Sequence, residues 1–128
     1  MTTSATGGAK AAPILRIGGT MSVPQALRGG DRPHRLRLVS GAAARIDASA
    51  RRIREAVARG EWVYGVTTGF GSNAVKPIAE KDAPTLQHNL LVSHAFGQGS
   101  PLPDDVVRLA LLLRIHALAQ GHSGIRRT

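Results

Sequence analysis

The chain contains no cysteine. That absence excludes a disulfide scaffold, a thiolate nucleophile and a cysteine-ligated metal, and it suits a reducing cytoplasmic location. Aromatic residues are nearly as scarce, with one Trp, one Tyr and two Phe in 128 residues. Base-stacking platforms for nucleic acid need several such rings, so nucleic acid is not favoured as a partner. No apolar run reaches the roughly 18 residues that a membrane-spanning helix needs. Acidic residues are missing before Asp31, and the first thirteen residues have no apolar signal-peptide core. Residues 1–13 are therefore expected to form a disordered tail, with the folded part over residues 14–128.

Positive charge is plentiful but uneven. The net charge is +9, yet residues 1–59 hold eleven Lys/Arg against three Asp/Glu, a balance of +8. Residues 60–128 hold six against five, a balance of +1. A basic half of this kind can track phosphates, which keeps a non-enzymatic basic binding module open as a function.

Apolar spacing predicts a mainly α fold with a little β near the N-terminus. Ile14 to Ile17 reads as a short strand closed by Gly18-Gly19. Ser22 reads as an N-cap with Pro24 in the first turn, and that helix is expected to stop at Gly29-Gly30. His34 to Val39 alternates Leu and Arg, as a half-exposed strand does. A strong helix follows from Ser40-Gly41 to Gly60, with Ile46, Ala50, Ile53 and Val57 on one stripe. Its arginines, Arg45, Arg51, Arg52, Arg54 and Arg59, fall on the remaining faces, where solvent is their ordinary surrounding. Another helix is expected to start at Asp82 or Thr85 and run through Leu86, Leu90, Leu91 and His94. His94 lies seven residues after Gln87 and shares its side of that helix. From Val106 to Ala119 the apolar residues cover nearly every face, the pattern of a helix buried all round. The chain has few other helices to bury it, and Ser123 to Arg126 reads as the start of one more. These two features predict that the chain is a portion of a longer fold.

The stretch Tyr64-Gly65-Val66-Thr67-Thr68-Gly69-Phe70-Gly71 holds the only tyrosine and three glycines within seven positions. Gly69 to Ala74 fits a relaxed dinucleotide-binding fingerprint, but Pro77 forbids the helix that must follow and no acid lies near the expected position. Gly121-His122-Ser123-Gly124-Ile125 lacks the final glycine of a nucleophile elbow. The five histidines show neither His-x-x-x-His spacing nor a carboxylate at metal-site spacing, so no metal site is expected. The glycines leave a tight loop whose shape the Thr67 and Thr68 hydroxyls can hold. By composition alone, Tyr64 reads first as a packing residue at the edge of a core, its hydroxyl bonded locally.

These eight residues resemble the N-terminal motif of the aromatic amino-acid ammonia-lyases, the family of histidine and phenylalanine/tyrosine ammonia-lyases. Three further stretches are similar in order and spacing: Leu86 to His94, Gly97-Gln98-Gly99 with Leu102-Pro103 and Val107-Arg108, and Ala119 to Arg126. The resemblance implies the N-terminal portion of a helical, aspartase/fumarase-like lyase fold. It implies non-oxidative loss of ammonia from an aromatic amino acid, or the related 2,3-aminomutase reaction. Tyr64 then stands at the position of the catalytic base. His94 stands where the substrate ring is selected. Gly65, Thr68, Gly69, Phe70 and Gly71 shape the loop. A β-proton is weakly acidic, and phenols ionise near pH 10, so such a base needs positive charge or hydrogen-bond donors around it. His94 followed by Ala95 favours the histidine type, while Thr67-Thr68 keeps the phenylalanine and tyrosine substrates open. The resemblance also implies a homotetramer and a methylidene-imidazolone electrophile built from Ala-Ser-Gly. No such triplet occurs in the 128 residues, so this chain alone is expected to be inactive.

Overall fold

The computed structural model describes residues 11–127. Most of the tail expected over residues 1–13 lies outside the described residues. Pro13 is described, and its carbonyl accepts the Arg35 N–H at 2.8 Å. The architecture is mainly α: four helices and two short strands in the order β1 (Ile14–Ile17), α1 (Val23–Asp31), β2 (Arg35–Leu38), α2 (Ala42–Ala58), α3 (Ala83–His94) and α4 (Asp104–Leu118). The residues divide into two compact units, Met1–Ala42 with Leu102–Gln120, and Ala43–Pro101 with Gly121–Thr128. No helix of the described residues is long and apolar enough to cross a membrane.

In the first unit β1 and β2 pair in parallel, Ile14 opposite Arg35 and Ile17 opposite Leu38. Ile17 is buried, while all four residues of β2 are exposed. Ser22 caps α1 in a reciprocal box with Gln25: the Gln25 N–H reaches the Ser22 hydroxyl and the Ser22 N–H reaches the Gln25 side chain. Such a cap contributes about 1 kcal/mol.

The helix ends at Asp31, one residue beyond the Gly29-Gly30 pair expected to stop it. Both glycines lie inside α1 and are buried. A Cβ on Gly29 would come within 2.2 Å of Leu112 Cδ2, and one on Gly30 within 3.0 Å of the Asp105 carbonyl. The missing side chains let α1 and α4 approach closely. Arg108 of α4 also donates from Nε to the Gly30 carbonyl at 2.9 Å, placing a cation at the negative end of the α1 dipole. The small core gathers Ile17, Leu112 and Ala119, with Leu15 and Met21 against it. Only Leu112 of α4 is buried, and Val106, Val107, Leu111, Leu113 and Ile115 remain exposed.

In the second unit Ile46 and Ala50 of the α2 stripe are buried and Ile53 and Val57 half-buried, with Ala56 buried beside them. The stretch expected to open a helix, Ser123 to Arg126, is not helical. Gly124 has a φ of +73°, its N–H goes to the Ser49 hydroxyl at 3.0 Å, and its α-carbon faces Ile53. Arg127 pairs with Asp47, donating from Nε at 2.9 Å and also from Nη2. Both contacts tie this segment to α2, one through the Gly124 N–H and one through the Arg127 guanidinium.

Candidate active site

The loop between α2 and α3 is built by hydroxyls and glycines. Thr67 Oγ1 donates to the Glu61 carbonyl at 2.7 Å and accepts the Val63 N–H at 2.8 Å. Thr68 is 2% exposed; its Oγ1 accepts the Gly65 N–H at 3.2 Å and donates to the Gly69 carbonyl at 3.1 Å. An antiparallel bridge joins Thr68 and Pro77. Its two hydrogen bonds come from the neighbours, Gly69 N–H to the Lys76 carbonyl at 3.1 Å and Ile78 N–H to the Thr67 carbonyl at 2.8 Å. Pro77, which has no N–H, therefore closes the loop without leaving a donor unpaired. A 3₁₀ turn at Gly71–Asn73 follows Phe70 in place of a long helix.

Two glycines are required by contact. Gly65 has a φ of +70°, and a Cβ there would meet Phe70 Cε1 at 2.6 Å. A Cβ on Gly69 would meet the Asn73 carbonyl oxygen and Cβ at 2.7 Å. The folded-back loop stands the Tyr64 ring against Phe70, edge to face, with centroids 5.9 Å apart. The Gly71 N–H donates to the Tyr64 hydroxyl at 3.2 Å. Tyr64 is 64% exposed, and its hydroxyl bond to Gly71 is exposed as well, so the residue is not buried in a core.

All six loop residues singled out in the sequence, Tyr64, Gly65, Thr68, Gly69, Phe70 and Gly71, are brought together here. His94 lies at the C-terminal end of α3, exposed. Its Nδ1 lies 2.9 Å from the Leu90 carbonyl and 3.0 Å from Ser93 Oγ. Nε2 has no partner among the described residues, and no hydrogen bond there joins His94 to Tyr64. The link between α3 and the loop is a residue whose role was not read from the sequence: Gln87 Nε2 donates to the Gly65 carbonyl at 3.1 Å. Its spacing of seven from His94 was the available signal. Beside the loop, a groove of about 490 Å³ is lined by Phe70, Asn73, Lys76, Leu86, Asn89 and Ser93 among others. Among the described residues no group of three or more His, Cys, Asp or Glu could hold a metal ion.

The sequence profile described as aromatic amino acid lyase matches residues 21–128. The chain belongs to the aromatic amino acid lyase family. Among its relatives, the lyase-family chain is 42% identical over 109 residues to a histidine ammonia-lyase of Burkholderia cenocepacia (strain HI2424), covering 85% of this chain and 22% of that protein. The fold is similar to that of ergothionase from Treponema denticola, an ergothioneine-degrading enzyme, with a TM-score of 0.80 and 32% identity over 89% of this chain and 23% of the other. It is also similar to a tyrosine aminomutase from Streptomyces globisporus, with a TM-score of 0.81 and 27% identity over 90% and 22%. The chain thus spans between a fifth and a quarter of the length of these relatives.

Proposed function

We propose that this chain supplies the base of an aromatic amino-acid ammonia-lyase, with histidine as the favoured substrate. The observation that carries the reading is the exposed Tyr64 on a hydrogen-bonded glycine loop, with a backbone N–H at its hydroxyl oxygen. In the reaction the phenolate oxygen takes the β-proton, the electron pair forms the α,β double bond, and the C–N bond breaks to release ammonia. The Gly71 N–H is a donor at the oxygen that must carry negative charge before that transfer. His94, with Nε2 available, is the residue for contact with the substrate ring. The names of the histidine ammonia-lyase relatives support histidine over phenylalanine or tyrosine.

The family's electrophile is the methylidene-imidazolone group, which activates the substrate toward loss of ammonia. Its Ala-Ser-Gly source is not among these residues. The reading therefore includes a homotetrameric, cytoplasmic assembly in which other residues provide that group, and an inactive state for this chain by itself. The test combines the chain with the remainder of a lyase polypeptide and follows the ultraviolet absorbance of a urocanate-like or cinnamate-like product. Absence of product from histidine, phenylalanine and tyrosine would sink the proposal. The likeness to a tyrosine aminomutase favours one second reading, a 2,3-aminomutase. Recovery of a β-amino acid in place of the alkene distinguishes it.

A further inference from the structure

We propose that Gln87 is a positioning residue, which sets the place of the Tyr64 hydroxyl relative to His94 by clamping the carbonyl of Gly65, the residue after Tyr64, onto α3. The proposal rests on the reading of Tyr64 as the base.

Gly65 follows Tyr64 directly, and its carbonyl lies in the next peptide, Gly65–Val66, so holding that carbonyl restrains the backbone one residue on from the tyrosine. The Gly65 N–H is held within the loop by Thr68 Oγ1 at 3.2 Å. Its α-carbon is pinned under Phe70, the ring that also stacks edge-on with Tyr64. Its carbonyl alone reaches out of the loop, to Gln87 Nε2 at 3.1 Å, 22 residues away. The other hydrogen bonds that shape the loop come from residues 61 to 78. They set its internal form but not its place against α3.

Gln87 and His94 are seven residues apart on one helix, close to two full turns, so both project from the same side. A rigid helix thus carries the clamp at one point and the candidate ring-binding histidine two turns on. Gly65 is buried while Gln87 is exposed, and the bond between them is partly buried. A shift of about 1 Å between a base and its proton lowers a rate by about 100-fold. The amide donor is needed because a carbonyl oxygen accepts only; a carboxylate at position 87 would repel it.

The test uses Gln87→Leu and Gln87→Glu. In the chain itself, amide exchange at Gly65 is expected to speed up about tenfold in Q87L, while amides of α4 stay unchanged. In Q87E protection returns below the carboxylate range, where the protonated carboxyl can donate, and is lost above it. In the active lyase assembly that contains the chain, Q87L is expected to lower kcat about 100-fold with KM within threefold, and Q87E to follow Q87L at neutral pH. A structural residue would instead change the amount of folded enzyme and leave kcat per active site alone. Unchanged Gly65 exchange, or unchanged kcat with altered exchange, overturns the proposal. If the unsubstituted assembly forms no product, the lyase reading itself falls, and the exchange data still report whether the clamp exists.

Discussion

The Gly71 N–H and the Tyr64 hydroxyl meet at 3.2 Å across seven residues of chain, and this bond closes the candidate site on itself. Both groups are exposed, so the bond exchanges readily with water and contributes little to folding. Its effect is local: a donor stands at the oxygen proposed as the base.

Tyr64→Phe should separate stability from chemistry. The ring and its contact with Phe70 remain, and the freed Gly71 N–H can turn to water. Urea denaturation should show a change below about 1 kcal/mol. Product formation by the assembly containing this chain should fall by about 100-fold or more, the range for loss of a general base. A variant retaining full kcat would remove Tyr64 from the mechanism.

Thr68→Val should do the reverse. Valine matches the threonine shape but leaves the Gly65 N–H and the Gly69 carbonyl without the buried hydroxyl that serves both. Each unsatisfied group of this kind costs about 1–3 kcal/mol. The loss should appear in the denaturation midpoint and as faster amide exchange at Gly65. Equal stability of Thr68→Val and the unsubstituted chain would show that the hydroxyl is dispensable.

Gly29→Ala tests whether the glycine pair serves close approach rather than helix termination. In an ordinary helix interior the change would stabilise by about 1 kcal/mol. Here the new Cβ would stand 2.2 Å from Leu112 Cδ2, and Leu112 is only 4% exposed, so its side chain has little room to retreat. Overpacking of this kind costs about 1–3 kcal/mol. Shortening the neighbour in the double variant Gly29→Ala/Leu112→Ala should recover part of the clash. Additive losses in calorimetry would contradict direct contact.

The Asp47–Arg127 pair makes a pH-dependent contribution. The hydrogen-bonded Arg127 guanidinium holds the Asp47 carboxyl below its usual range, and Arg51 and Arg54 add to this by charge. The folded value is depressed, so the stabilisation is present above the unfolded value near pH 4 and is lost as the pH falls through the folded one. Asp47→Asn should flatten that part of an acid denaturation curve, leave the neutral-to-basic limb similar in slope, and make stability less sensitive to salt. An acid limb identical to that of the unsubstituted chain would show that the pair is broken in solution.

Much of the local structure was legible from residue types because its causes are local. Ser22 and Gln25 form a cap within one turn, the Ile46 stripe has helical spacing, and the Thr67 and Thr68 hydroxyls lie within reach of their own loop. Where the cause was distant, the same residue types misled. Gly29-Gly30 has the form of a helix stop and α1 ends one residue later, but the pair's residue types do not show that α4 approaches there and makes the glycines a contact surface. Ser123 to Arg126 has the form of a helix start, but Ser49 captures the Gly124 N–H and Asp47 anchors Arg127.

The sequence by itself determined the family motif, the helical pattern and the presence of one tyrosine in a glycine-rich loop, since these depend on neighbours in the chain. Tertiary structure decided which way Tyr64 faces, which glycines are steric requirements, and how the loop is tied to the helix carrying His94. Those outcomes depend on groups brought together from distant positions, as when Gln87 reaches the Gly65 carbonyl across 22 residues. Side-chain reach and close backbone approach are properties of the folded chain, and the one-dimensional spacing of residue types does not encode them.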